Sequence, residues 1–167
     1  PNSHSRTMPT QKERVIVTGG CGFIGSHLVD RLLNDGHEVL VIDNLSSGRK
    51  ENVEGELNLV KMDVWSDGKK LTKVFQKFKP DVVFHLAAQK DVQKSMADPI
   101  HDAEVNIMGS LNILEAMNAV GGGRIVMASS AAVYDPEARF PIKEASSRIR
   151  PASPYGISKR AAEMYMW

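Results

Sequence analysis

Tyr155 and Lys159 stand one helical turn apart near one end of the chain, and near the other a glycine run, Thr18-Gly19-Gly20-Cys21-Gly22-Phe23-Ile24-Gly25, follows a β-branched segment. On a helix that spacing puts a phenol and an ammonium on one face. The positive charge then lowers the phenol's pKa from its ordinary value of about 10 and makes it a usable base. A glycine turn between strand and helix can hold a dinucleotide pyrophosphate at the helix N-terminus. Either feature alone is common, but together they imply redox chemistry on an alcohol: the phenolate takes the hydroxyl proton while hydride leaves the same carbon.

Gly19, Gly22 and Gly25 are spaced by three. The first permits a tight turn, the second lets backbone approach a pyrophosphate, and the third lets helix and strand pack closely. Asp43, at the end of the next apolar run, can accept both ribose hydroxyls of NAD and would repel a 2′-phosphate, so NAD is expected over NADP, although Arg49 and Lys50 lie close by. His85, ending an apolar run, reads as a satisfied core or rim histidine, and Cys21 as a small filler in the glycine turn. No metal-binding cluster is expected.

The elements that must position these groups are short β-branched runs at Val15 to Val17, Val39 to Ile42, Leu57 to Met62, Asp81 to Leu86 and Arg124 to Met127. Each is apolar on both faces and followed by a helical stretch, as in a parallel sheet covered on both sides. Leu28, Leu32 and Leu33 line a first helix stopped by Gly36; Leu71, Val74, Phe75 and Phe78 line a second whose lysines form a solvated face; Ile107, Leu111 and Leu114 line a third ended by Gly121-Gly122-Gly123. The stretch from Tyr134 to Pro154 has prolines at 136, 141, 151 and 154 and no periodicity, so it is expected to be a long functional loop. Ser153 as N-cap and Pro154 at the first helical position start the Tyr155–Lys159 helix. The fold class is α/β, a Rossmann-type doubly wound parallel sheet.

With 167 residues, 42% apolar and 25% charged, the chain reads as one domain over residues 14–167, preceded by a tag-like or disordered segment 1–13 without the apolar core of a secretory signal. A formal net charge of +1 provides no field for nucleic acid or a membrane surface, and no apolar run is long enough to span a bilayer. The single cysteine excludes an internal disulfide; the cytoplasm is the expected compartment.

The ordered motifs Thr18 to Gly25, Asp43-Asn44-Leu45-Ser46-Ser47-Gly48, Asp63-Val64, His85-Leu86-Ala87-Ala88, Asn106, Ser129 to Tyr134 and Pro154 to Lys159 resemble the extended short-chain dehydrogenase/reductases, in particular the NAD-dependent nucleotide-sugar epimerases and dehydratases. The resemblance runs from about Arg14 onward. It implies a catalytic trio of Ser130, Tyr155 and Lys159, with Tyr155 as base, Lys159 lowering its pKa and Ser130 orienting the sugar hydroxyl. It also implies NAD held by Gly19, Gly22, Phe23, Ile24 and Gly25 at the phosphates, by Asp43, Asn44, Ser47 and Gly48 at the ribose, and by Asp63 and Val64 at the adenine. Leu86, Ala87, Ala88 and Lys90 would line the cofactor, and Asn106, Tyr155 and Lys159 would shape its nicotinamide end. Dehydratases of the family carry an acidic pair after the catalytic hydroxyl and decarboxylating relatives an acid there; Ala131-Ala132 leaves 4-epimerisation of a nucleotide sugar such as a UDP-sugar as the least demanding reaction.

Two departures qualify the resemblance. Family members are about twice as long, so the last strands and the C-terminal lobe that binds the sugar are expected to be missing, and Asp135 stands where the family has glycine. A sheet ending at Arg124 to Met127 would have an open edge beside Met164, Met166 and Trp167, for which a homodimer is the expected remedy. The epimerase half therefore stands beside two alternatives: an NAD-binding module without turnover, and a redox-sensing interaction protein.

Overall fold

The computed structural model describes residues 11–145 and 147–166. Most of the segment 1–13 and Trp167 lie outside the described residues. Strands β1 (Arg14–Thr18), β2 (Glu38–Asp43), β3 (Leu59–Lys61), β4 (Val82–His85) and β5 (Arg124–Met127) form one sheet in the order β3-β2-β1-β4-β5, every pairing parallel. The order reverses direction between β1 and β4, and such a switch point opens a crevice beyond the C-terminal strand ends. The Rossmann-type expectation is met.

Each face of the sheet has its own core because alternate residues point to opposite sides. Ile16, Leu40, Ile42 and Val83 pack against Leu71 and Phe75 of α2 (Gly68–Phe78) and Ile113, Ala116 and Met117 of α5 (Gly109–Asn118). Val15, Val17, Val39 and Val41 pack on the other side against Val29 of α1 (Phe23–Asn34), flanked by Leu28, Leu32 and Leu33. A fully buried Leu or Phe contributes about 1.5–3 kcal/mol, so Leu71 and Phe75 anchor α2, which Asp67 caps by accepting from Lys70 N–H.

Two local expectations need correction. Between β2 and β3 there is no full helix, only a 3₁₀ turn at Lys50–Asn52. The segment after β4, which lacks a long periodic stripe, forms α3 (Val92–Ala97), α4 (Pro99–Ala103) and a π turn (Glu104–Met108) running into α5. That π turn inserts an extra residue and rotates the helix face, so Asn106, Ser110, Ile113 and Met117 are buried while Ile107, Leu111 and Leu114 are only half-buried.

The long loop is ordered by an antiparallel bridge between Tyr134 and Ile149 and leads to α6 (Pro154–Tyr165), which packs on α3, α4 and the π turn. β5 is an edge strand, and Val126 on it is 48% exposed. Among the described residues no helix is long and apolar enough to cross a membrane.

Candidate cofactor and active site

The glycine turn joins β1 to α1 at the switch point. Gly19 N–H donates to Ile42 O at 2.8 Å and Gly22 N–H to Gly19 O at 3.1 Å, folding the turn against the end of β2. A Cβ on Gly25 would lie 2.2 Å from Gly19 O, and one on Gly19 only 2.7 Å from Ala87 N, so neither position has room for a side chain. The N-cap of α1 is Gly22, which contributes no side-chain cap, and the first-turn residues Phe23 and Ile24 are 78% and 66% exposed. Open N–H groups at a helix N-terminus suit an anion, and the cradle fits a pyrophosphate on backbone contacts alone.

Asp43 is buried and shapes this turn directly: Oδ2 accepts from Cys21 N–H at 3.0 Å and Oδ1 from Leu45 N–H at 2.7 Å. Each oxygen keeps a further lone pair for a ribose hydroxyl. Cys21 O in turn accepts from Arg49 N–H and Asn52 Nδ2, and a Cβ on Gly48 would meet Cys21 at 2.8 Å. Burial pushes the Cys21 thiol up to about 11, with Asp43 adding to the rise, so Cys21 is a neutral filler as expected. Asn44 Nδ2 donates to Asp63 Oδ1 at 2.6 Å, which brings the ribose and adenine candidates together; Ser47 is exposed beside them. Val64 differs in kind: its side chain is in the core and its carbonyl accepts from Asn112 Nδ2, so only its N–H is uncommitted.

Beyond β4, Thr18 ties the strand ends together. Its Oγ1 accepts from Leu86 and Ala87 N–H, each at 3.2 Å, and lies 2.7 Å from His85 Nδ1; His85 Nε2 lies 3.2 Å from Ser110 Oγ. Ser110 donates to Asn106 O at 2.6 Å, so it accepts from His85 Nε2–H, and Thr18 donates to Nδ1. Burial drives the imidazole down to about 3, with Lys159 assisting, so the ring is neutral and His85 is the satisfied core histidine expected. Leu86, Ala87 and Ala88, just past β4, are half-buried, with Leu86 and Ala87 packed against the two cores, and Lys90 is exposed.

The catalytic candidates lie on two elements that touch, the turn after β5 and α6. Ser130 follows β5 and caps a 3₁₀ turn, Ala131–Val133, by accepting from Ala132 N–H at 3.1 Å. Ser153 caps α6 by accepting from Gly156 N–H, with Pro154 in the first turn, as the residue pattern predicts. A Cβ on Gly156 would lie 2.4 Å from Ala132 O, so only glycine lets α6 seat on the Ser130 turn and bring Tyr155 to it. Lys159, one turn on, is buried; desolvation holds its ammonium below its usual range, opposed by Glu163 and Asp102. Glu163 also pairs with Arg160 and accepts from Ser129, tying α6 to the end of β5.

Asn106 sits in the π turn and is fully engaged. Its Oδ1 accepts from Gln89 N–H at 2.9 Å, and its Nδ2 lies within 3.2 Å of Gln89 O, Asp102 Oδ1 and Ser158 Oγ, three acceptors for two hydrogens. Its part is therefore to hold the loop after β4 against α6. Sequence reasoning quoted Thr18 and Ser158 only as members of motifs and missed Gln89, Asp102 and Ser110, whose only signal was their polarity. Asp135 has no left-handed backbone, so glycine is not required there; its carboxylate lies 4.0 Å from Arg148 Nε and 3.7 Å from Arg150 Nη1, and its N–H donates to Arg148 O. That arrangement clasps the base of the long loop.

The fold agrees with comparisons to known proteins. The UDP-glucose 4-epimerase of Mycolicibacterium smegmatis is 45% identical over 159 residues, matching 92% of this chain and 50% of that enzyme. UDP-glucuronic acid decarboxylase 1 of Xenopus tropicalis is 38% identical over 161 residues, with 91% of this chain and 36% of that enzyme covered. Among solved structures, the Thermotoga maritima UDP-glucose 4-epimerase with UDP-glucose superposes with a TM-score of 0.86 at 39% identity, covering 92% of this chain and 50% of that one. The Thermus thermophilus UDP-glucose 4-epimerase in complex with NAD gives 0.84 at 44% identity, covering 92% and 49%. The chain thus spans about half the length of these epimerases. A family model matches residues 15–167, from the first strand through the Tyr155–Lys159 helix, and the chain belongs to the NAD-dependent epimerase/dehydratase family.

Proposed function

We propose that this chain is the cofactor-binding and proton-transfer half of a nucleotide-sugar 4-epimerase acting on UDP-sugars. The observation that carries this reading is the seating of α6 on the Ser130 turn through Gly156, together with a glycine turn that leaves an uncapped helix N-terminus. Bound NAD supplies the hydride acceptor. Phe23 and Ile24 N–H groups would meet its pyrophosphate, Asp43 its adenosine ribose, and Lys159 the ribose beside the nicotinamide.

Tyr155, with Lys159 one turn on along the same helix, removes the proton of the sugar 4-hydroxyl, which Ser130 holds by a hydrogen bond. Tyr155 returns that proton after the 4-keto sugar has turned its other face. Ala131 and Ala132 bring no carboxyl beside the reacting sugar, which favours epimerisation over elimination or decarboxylation. The retained trio favours an enzyme over a redox-sensing interaction protein. An NAD-binding module without turnover remains the second reading for residues 1–167 taken alone, because the matched epimerases are twice as long.

A chimera carrying residues 14–167 in place of the matching half of the Mycolicibacterium enzyme should interconvert UDP-glucose and UDP-galactose, and its Tyr155→Phe variant should not. The 167-residue chain alone should bind NAD without sustained interconversion. A chimera that folds and binds NAD yet leaves both sugars unchanged would overturn the epimerase reading. The edge strand β5 and the 66%-exposed Met164 support self-association into a homodimer, measurable as a light-scattering mass above 18.4 kDa at micromolar concentration. A monomer unaffected by dilution would rule it out.

A further inference from the structure

Asp102 lies on α4 and is 1% exposed. Its Oδ1 accepts from Gln89 Nε2 at 2.8 Å and from Asn106 Nδ2 at 3.2 Å, whereas its Oδ2, also buried, has no hydrogen-bond partner. A buried carboxylate with one oxygen unsatisfied is costly unless a positive charge stands near it. Helix α6 packs against α4, and it carries a buried ammonium, Lys159. Asn106 Nδ2, which binds Asp102, also reaches Ser158 Oγ at 3.0 Å, the residue before Lys159.

The charges around Lys159 are few. Glu163 faces it from its own helix, Asp102 from α4, and neutral His85 from β4; Tyr155 is one turn away. Glu163 is already committed to Arg160 and Ser129. Glu104 in the π turn pairs with His101 at 3.8 Å. Among the described residues the ion pairs leave Lys159 out, so one buried anion and one buried cation, each short of partners, sit on helices that touch.

We propose that Asp102 is the counter-charge of Lys159, a positioning residue that keeps the ammonium ionised and, through the Asn106–Ser158 link, in place beside Tyr155. This rests on Lys159 being the cation of the catalytic corner. Asp102 touches neither substrate nor cofactor in this scheme and acts only through Lys159. It explains why an acid is held in the dry interface between α4 and α6, where an apolar residue would pack at lower cost.

The test replaces charge without changing shape. Asp102→Asn keeps an acceptor for Gln89 and Asn106, and the Lys159 ε-carbon is followed by NMR through an alkaline titration of lysine-labelled chain. The Lys159 midpoint should fall by at least about half a pH unit, and NAD affinity should weaken at a lower pH than in the unaltered chain. A purely structural Asp102 would change the melting temperature but not that midpoint; a folded variant with an unmoved midpoint overturns the proposal. If Asp102→Asn does not fold, the Asp102 carboxyl carbon in the unaltered chain must show an inflection at the Lys159 midpoint, and its absence overturns the proposal equally. Failure to bind NAD with this coupling intact would count against the cofactor-half reading and not against the ion pairing.

Discussion

The glycine turn and the segments that carry Ser130, Tyr155 and Lys159 are held by different means. The turn is held by backbone: Gly19 and Gly22 bond to main chain, Asp43 binds two peptide N–H groups, and absent side chains create the space. The segments with Tyr155 and Lys159 are held by side chains from distant parts of the chain, with Gln89, Asp102, Asn106 and Ser158 in one largely buried network and Ser129, Arg160 and Glu163 in a second, more exposed one. A backbone site is tolerant of side-chain identity except where a Cβ intrudes. A side-chain site can be tuned one charge at a time.

The largest expected effect breaks the backbone side of this contrast. Gly25→Val puts a branched side chain where a single Cβ already lies 2.2 Å from Gly19 O, and should cost about 3 kcal/mol or more of stability and abolish measurable NAD binding. Thermal melts and calorimetric titration check both; binding within tenfold of the parent chain would show that the turn yields.

Next in size is acid sensitivity at the strand ends. His85 titrates at about 3 folded against 6.5 for the free side chain, so the unfolded chain binds the extra proton between those values. Stability from this group is complete above 6.5 and is lost as pH falls toward about 3, at up to about 1.4 kcal/mol per pH unit. Urea midpoints from pH 7 to 4 should show that slope, reduced in His85→Gln; identical slopes would remove His85 as the cause.

Asp43→Ala sharpens the comparison by removing the side chain that accepts from two peptide N–H groups of the turn and the segment after β2. It strips partners from Cys21 and Leu45 N–H and removes like-charge repulsion of a 2′-phosphate. NAD affinity should fall about tenfold to a hundredfold and the preference over NADP should vanish. A preference that persists in competition titrations would mean the discrimination lies elsewhere, with Arg49 and Lys50 the next residues to test.

The smallest effect concerns the charge of Lys159. The Lys159 ammonium is held below its usual 10.5 by burial, so the unfolded chain binds more protons in the window between the lowered folded value and 10.5, and stability should rise with pH there. Lys159→Met should flatten that alkaline rise and weaken NAD binding several-fold. An unchanged alkaline slope would assign the rise to other groups.

Residue order alone determined much of this protein. Period and composition located the five strands, because strands covered on both faces show as continuous apolar runs; glycine spacing located the turn, because its demands are local; and Ser153-Pro154 located the start of α6, because capping is local too. Tertiary structure decided the rest. The buried face of α5 depends on a π turn that no periodicity announces, and the polar network joining Gln89, Asp102, Asn106 and Ser158 exists only once α4 and α6 are packed. The need for glycine at 156 appears only when Ala132 O lies 2.4 Å from where a Cβ would stand. Local propensity is written residue by residue, whereas a site assembled from segments far apart in sequence is specified by which surfaces pack together, and that is a property of the folded chain.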